Sequence, residues 1–238
     1  MKTVKADLHL HTVLSPCGDL EMSPSAILET AKAKKLDIIG VTDHNSTRQA
    51  GIIRDMGREA GIFVMTGAEV TTREEAHCLA FFPADGPLSL FQDYLDAHLP
   101  DFPNDPDKFG YQVVADGNDR IVYEEKRLLI SALDQSLEEI ERQVHTLEGI
   151  FIPAHIDKSR FSILSQLGFI PPGLCCDALE LSPYAAYDIF IQNYPYLKKY
   201  PFIQSSDAHY LKDIGKVSTS LTLEEISFSA IRHFLEHA

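Results

Sequence analysis

Asp7-Leu8-His9-Leu10-His11, near the start of the chain, and Ser205-Ser206-Asp207-Ala208-His209, near its end, decide the reading of the fold. Each follows or ends a short apolar, β-like run. In a strand, residues i and i+2 point to the same side, so His9 and His11 share one face, as do Asp207 and His209. Core packing does not explain two such pairs so far apart in sequence. They are expected to form two sides of one metal site.

Outward from the first pair, apolar runs alternate with helical patterns. Strands are predicted over 4–10, 38–42, 62–66, 69–72 and 78–82. One helix starts at Ser23-Pro24, with serine as cap and proline at the first helical position, and runs to about Lys35. A second runs from about Thr47 to Ala60 and stops at Gly61. Repeated β-loop-α units predict a mostly parallel sheet with helices outside. Gln112 to Tyr123 holds two β-branched runs around Asp116-Gly117-Asn118, the pattern of a β-hairpin. Residues 98–128 are read as an insertion, either covering a site or decorating the surface. The alternation resumes with a Ser136–Glu139 capping box and a strand over 150–154 ending at His155. Short strands over 178–181 and 202–205 follow, with a helix over 185–193 between them, and a helix from Leu223 to Glu236 closes the chain. A parallel barrel of about seven strands fits better than an open doubly wound sheet, because polar ligand types stand at nearly every strand end.

Composition bounds the function. The 238 residues suit one large domain or two small ones. The formal charge of −14 disfavours extended nucleic acid as a partner. A small phosphorylated substrate held through metal is compatible with it. No stretch of eighteen apolar residues occurs, so no membrane span is expected. The first residues do not read as a signal peptide, and the default location is the cytoplasm. Cys17, Cys78, Cys175 and Cys176 lack metal-binding spacing and are expected as reduced thiols. Oligomeric state is left open.

His9 with His11, His44, Glu69, His77, His155, and Asp207 with His209 all fall at predicted strand ends. In parallel α/β folds those ends converge on one face. Imidazole with carboxylate suits zinc, iron or manganese. His98, His145, His233 and His237 are read as surface or packing residues. Asp7 shares the facing of His9 and is a candidate to accept a histidine N–H; a carboxylate satisfied by backbone amides is the simpler reading. Asp43 points away from His44, which argues against a direct metal bond. Arg160 is expected to clamp phosphate oxygens with Lys158 as a helping point charge, and Arg48 is a weaker candidate.

Asp7–His11, Thr42-Asp43-His44, Gly67-Ala68-Glu69, His77, Pro153-Ala154-His155 and Ser206-Asp207-Ala208-His209 resemble, in order and spacing, the motifs of PHP (polymerase and histidinol phosphatase) domains, across residues 3–210. The resemblance implies a distorted seven-stranded (β/α)7, TIM-like barrel, here with an inserted hairpin region, as a single catalytic domain over 1–238. It also implies a trinuclear metal cleft and phosphoesterase activity. By motif, a first metal takes His9, His11, Glu69 and Asp207. Glu69 bridges to a second metal with His77 and His155, and a third takes His44 and His209. Where the family carries a further Asp or His, this chain has Pro16 and Cys17. Three readings of the third site stay open: Cys17 completes it, Asp19 completes it, or it is weak or empty; Asp19 is preferred because a carboxylate suits the remaining donors.

The chemistry expected is hydrolysis of a small or terminal phosphate ester by a metal-bridging hydroxide, using two or three divalent ions. Glu69, Asp207 and Arg160 are expected nearest the reacting phosphate. Rival readings are an exonuclease-type phosphodiesterase acting on short oligonucleotides, a regulatory module with a vestigial metal site, and an amidohydrolase-type barrel. The last lacks a clearly placed bridging lysine.

Overall fold

β1 (Lys2–Leu10) is buried continuously from Ala6 to Leu10, the mark of a strand covered on both faces. The computed structural model describes residues 1–237, the side chain of His237 excepted. α1 (Pro24–Ala33) begins on the Ser23 cap, and α2 (Ala50–Ala60) ends on Gly61 at φ 75°, as serine-proline and glycine signals dictate. Between them lies β2 (Ile38–Val41), and after them β3 (Phe63–Thr71) and β4 (His77–Phe82). α3 (Asp85–His98) leads to α4 (Pro106–Phe109) and a hairpin of β5 (Val113–Ala115) and β6 (Ile121–Glu124). α5 (Leu137–Thr146) carries the Ser136–Glu139 capping box. β7 (Ile150–Pro153), α6 (Ile163–Leu167), β8 (Leu179–Leu181), α7 (Tyr187–Asn193), β9 (Phe202–Gln204), β10 (Thr219–Leu223) and α8 (Phe228–His237) complete the chain.

The fold is α/β, built on a curved six-stranded sheet of order β10-β1-β2-β3-β4-β7, with β8 and β9 as a separate parallel pair. Among the described residues a closed seven-stranded ladder is not seen. β8 and β9 are three residues each, too short to join both neighbours along their length. A few backbone bonds attach the pair instead: Ile156 N–H donates to Glu180 O at 2.9 Å and Asp177 N–H to Phe151 O at 3.0 Å on one side, and His11 N–H donates to Ala208 O at 3.0 Å and Ala208 N–H to His9 O at 3.2 Å on the other. The sheet is also less parallel than expected. β4 runs antiparallel to β3 and β7, and β10 antiparallel to β1. Leu223, expected to open the closing helix, instead ends the edge strand β10, and that helix starts at Phe228. Among the described residues no helix is long and apolar enough to cross a membrane.

Both faces of the sheet are covered. Leu79, Phe81, Ile150 and Ile152 pack with Ile231 and Leu235 of α8, while Cys78, Ala80, Phe82 and Phe151 pack with Phe91 and Ile140 of α3 and α5. The hairpin of the 98–128 segment leans on the loop after β1: Val113 N–H donates to Val13 O at 3.1 Å, and the Gln49 side chain pairs with the Ala115 backbone.

Two strand glycines sit where a neighbouring backbone closes in. A Cβ on Gly67 would lie 2.0 Å from Ala80 O, and one on Gly40 would lie 2.2 Å from Leu8 O. Gly67→Ala is expected to cost about 3 kcal/mol of unfolding free energy. Gly51→Ala in α2, whose Cβ meets nothing within 4 Å, is expected to raise stability by about 0.5–1 kcal/mol. Urea denaturation of the two variants measures the contrast, and equal midpoints would refute this account of the packing.

Candidate metal centre

β1, β2, β3 and β7 run in one direction, so the residues at or beyond their C-terminal ends share one end of the sheet. These are His9, His11, His44, Glu69 and His155. β4 runs the opposite way, so His77 reaches the same end as the first residue of its strand. The Leu10–Ala208 bridge lays Asp207 and His209 beside His9 and His11, and a second bridge joins His44 to Glu69.

Glu69 is the hub. Its Oε1 lies 2.9 Å from His77 Nδ1, 3.0 Å from His155 Nε2 and 3.5 Å from His9 Nε2. Its Oε2 lies 3.1 Å from His44 Nδ1 and 3.3 Å from His11 Nε2. Asp207 Oδ1 stands 3.5, 3.4 and 3.6 Å from nitrogens of His9, His11 and His209. Three compact donor groups result: His9–His11–Glu69, His44–Glu69–His77, and His11–Cys17–His44–His209, each with its ligand atoms within 4.8 Å.

The surroundings hold these rings in place. His9 Nδ1 meets Glu180 Oε2 at 2.9 Å, and the same oxygen accepts the His155 N–H at 3.1 Å. Sequence reasoning missed Glu180, although a lone acid between Leu179 and Leu181 of a buried strand was the signal. His11 Nδ1 meets Ser15 Oγ at 2.9 Å, and Ser15 Oγ donates to Asp43 at 2.7 Å. Asp43 also accepts from the Thr12 amide and hydroxyl, so it shapes the loop after β1 and does not face the cluster. Asp7 holds no histidine. Its oxygens accept the N–H groups of Ser206 at 2.9 Å and Gly215 at 2.8 Å, which pins the segment bearing Asp207. His155 and Asp207 have φ of 31° and 51°, a conformation that costs about 1–3 kcal/mol each for residues with a side chain.

A cavity of about 290 Å³ opens onto the cluster, lined in part by Cys17, Ile130, Lys158, Arg160 and Phe161. Lys158 Nζ pairs with Asp207 Oδ2, and Arg160 is exposed at the mouth. Arg48 lies elsewhere: it pairs with Asp96 and sits over the Tyr123 ring at 5.2 Å, fastening the hairpin. Cys17, not Asp19, stands with the histidines. The Asp19 carboxylate turns back to accept the Glu21 N–H at 2.8 Å, closing its own turn. His98 pairs with Asp134, and His145 bridges Glu141 and Asp177. His233 lies on α8, and the side chain of His237 is outside the described residues.

Burial pushes Glu69 up, but the imidazoles of His77, His9 and His44 outweigh it and hold the carboxylate well below its usual range. Burial pulls His9 down, yet Glu180, Glu69 and Asp207 raise it well above the ordinary imidazole value. His209 falls to about 4 through burial and the charge of His11. Cys17 is exposed at the cavity, yet the protein packed around its thiol and the charge of Glu69 push it up to about 12, so it ligates only where a cation displaces its proton. The donor set fits a cation. His9 Nε2 and His11 Nε2 face each other at 3.2 Å, and the buried His44 Nδ1, 3.1 Å from Glu69 Oε2, is not aligned to hydrogen-bond with it. Imidazole and carboxylate gathered this way suit one or more divalent ions, whose binding would release the protons that His9 holds.

Glu180 orients His9 and supports the His155 backbone, so Glu180→Gln is expected to weaken manganese or zinc binding about 10–100-fold. Calorimetric titration reads this directly. At a hundred times Kd, metal should stabilise the wild-type fold by about 2.7 kcal/mol. An unchanged affinity in the variant would remove Glu180 from the metal centre.

The model of the PHP domain matches residues 7–164. YqxK, an uncharacterized protein of Bacillus subtilis (strain 168), is 25% identical over 260 residues, covering 96% of this chain and 61% of that one. Endonuclease Q from Pyrococcus furiosus, described as a lesion-specific endonuclease, superposes with a TM-score of 0.73 at 19% identity, over 99% of this chain and 56% of its own. Endonuclease Q bound to a 27-mer duplex with an abasic lesion at the active site gives 0.71 at 19% identity, over 99% of this chain and 57% of its own. The chain spans between half and two thirds of the length of the curated relatives it matches. The duplex in endonuclease Q overturns the inference from net charge that extended nucleic acid is disfavoured. A charge summed over the whole chain does not report the field at one cleft. With two thirds of its length matched by the model and the histidine–carboxylate cluster assembled at one sheet end, the chain belongs to the PHP domain family.

Proposed function

We propose that the chain is the catalytic part of a metal-dependent phosphoesterase whose substrate is a phosphodiester of nucleic acid. The observation that carries the reading is Glu69, whose two oxygens lie within 3.5 Å of five imidazoles. A carboxylate so placed belongs to a centre that holds neighbouring cations. Two or three divalent ions, manganese, zinc or iron, are assigned to it. His9, His11, Glu69 and Asp207 hold the first, and Glu69, His77 and His155 the second. His44 and His209 hold the third, with Cys17 replacing Asp19 as the further donor. Bound there, such ions lower the pKa of water and offset phosphate charge.

The chain's own groups do the rest. Arg160, exposed at the mouth, presents two parallel N–H groups to non-bridging phosphate oxygens. Lys158 balances Asp207 and adds a positive charge at the cavity wall. The histidines stay oriented through Glu180 and Ser15, so no reorganisation is needed as charge develops on phosphorus. A nucleic-acid substrate is favoured over a small monoester by the fold shared along nearly the whole chain with endonuclease Q. The chain is read as one catalytic unit with the 98–128 hairpin as an added support for the loop after β1.

Protein stripped by chelator and reloaded with manganese, zinc or iron should cleave bis(p-nitrophenyl) phosphate and a labelled oligonucleotide, single-stranded or as a duplex containing an abasic site. Cleavage of p-nitrophenyl phosphate alone would return the substrate to the monoester class. Glu69→Gln should lose at least about 100-fold in kcat. Hydrolysis of none of these esters, with metals verified as bound, would sink the proposal and leave a regulatory module with a vestigial site.

A further inference from the structure

Phe161 is a phenylalanine held out of the core at the mouth of the cavity. It is 44% exposed, although its residue type is usually buried. Its φ of 55° is a left-handed conformation that a bulky residue adopts only when its surroundings force it. Those surroundings are clear. The Phe161 carbonyl accepts the His77 N–H at 2.9 Å. The ring stacks on the His77 imidazole, with centroids 5.0 Å apart and planes 17° from parallel. It lines the cavity together with Ile130, Lys158 and Arg160. A lone exposed aromatic needs no explanation, but a strained, pinned ring stacked on a metal-site histidine beside two cations does. A rigid ring of this kind gives a planar group something to stack on, and the adjacent cations take the phosphate attached to it.

We propose that Phe161 is a stacking platform for a nucleobase next to the scissile phosphate, and that the enzyme selects nucleotide units over aliphatic phosphate esters. This rests on the phosphoesterase reading above and names the substrate group that the site grips. Base–aromatic stacking tolerates any base, so the platform confers preference for a nucleoside and not for a sequence. Arg160 and Lys158 hold the phosphate, and Ile130 supplies further apolar wall.

Two diesters with one leaving group test it: thymidine 5′-(p-nitrophenyl phosphate) and methyl p-nitrophenyl phosphate. Phe161→Leu should raise KM for the thymidine ester about tenfold, leave kcat unchanged, and leave the methyl ester within about twofold. Phe161→Trp should keep the wild-type preference. Equal loss of kcat on both esters would mean that the ring only props His77, and would overturn the proposal. A second readout needs no turnover. The fluorescence of 2-aminopurine riboside 5′-monophosphate, and of a trinucleotide containing 2-aminopurine, should be quenched by wild-type protein and not by Phe161→Leu. Quenching of the trinucleotide alone would point to a strand, and quenching of both to any nucleotide. Quenching without hydrolysis of any ester would remove the catalytic reading and retain the platform. Hydrolysis with neither quenching nor the KM split would remove the platform and retain the catalytic reading.

Discussion

The structure depends on one electrostatic demand: six imidazoles and the carboxylates of Glu69 and Asp207 share a largely buried space. Ionised groups taken out of water are costly unless paired. Here opposite charges supply the compensation: Glu180, Glu69 and Asp207 push His9 toward its charged form, and the imidazoles hold Glu69 and Asp207 well below the usual carboxylate range. A cation entering the cluster takes the place of that positive charge, so the same geometry that protects the metal-free fold is a metal site. The supporting contacts serve that demand. Asp7 fixes the 205–209 segment through backbone amides, and the Asp43 carboxylate fixes the loop through Thr12 and Ser15.

How much of this could be read in advance follows from which forces are local. The His-x-His pair was legible because a strand's two-residue period is a property of the chain itself. Helix starts at Ser23 and Ser136 and the stop at Gly61 were legible for the same reason, each capping bond closing within a few residues. Asp207 and His209 stand beyond β9, with Asp207 left-handed, and the Leu10–Ala208 bridge, not a strand period, brings them to the site. Strand direction is not local. His77 lies at the beginning of β4, and only pairing to β3 and β7 brings it to the site. Nor is the choice between Cys17 and Asp19, which turned on the Asp19 carboxylate being taken by its own turn. Arg48 misled because proximity to His44 in sequence says nothing about which neighbour, Asp96 or phosphate, claims the guanidinium. Glu180 went unread because one acid in a short apolar strand has no periodicity to announce it.

Net charge misled for a related reason. The formal −14 counts carboxylates on helices and turns across the whole surface, among them Asp55, Asp85 and Asp116. Screening over about 10 Å at ordinary ionic strength leaves such charges with little influence on a cleft whose own wall carries Lys158 and Arg160. The carboxylates nearest the cleft, Glu69 and Asp207, are those a cation would neutralise. A polyanion approaching that mouth therefore meets a field set by a few residues and not by the sum.

The loop from His155 to Ser162 joins these themes. It leaves β7 in a left-handed conformation at His155, passes Lys158 and Arg160, turns left-handed again at Phe161, and ends on the Ser162 cap of α6. The Ser162 hydroxyl donates to Lys158 O at 2.7 Å, and Phe161 O accepts from His77. Eight residues thus tie a metal-site histidine, two cations and an aromatic ring into one short arch clamped at both ends. Strain of this kind persists only where the surroundings over-determine it. A site that must place a phosphate against a cluster tolerates displacements of only a fraction of an ångström, and an arch with two strained hinges, tied within itself by Lys158 N–H to His155 O and Ser162 Oγ to Lys158 O and from outside by Glu180 and His77, resists such displacement better than a relaxed loop. The backbone cost at His155 and Phe161 is therefore best understood as the energetic counterpart of a fixed distance between the groups that hold metal and those that face substrate.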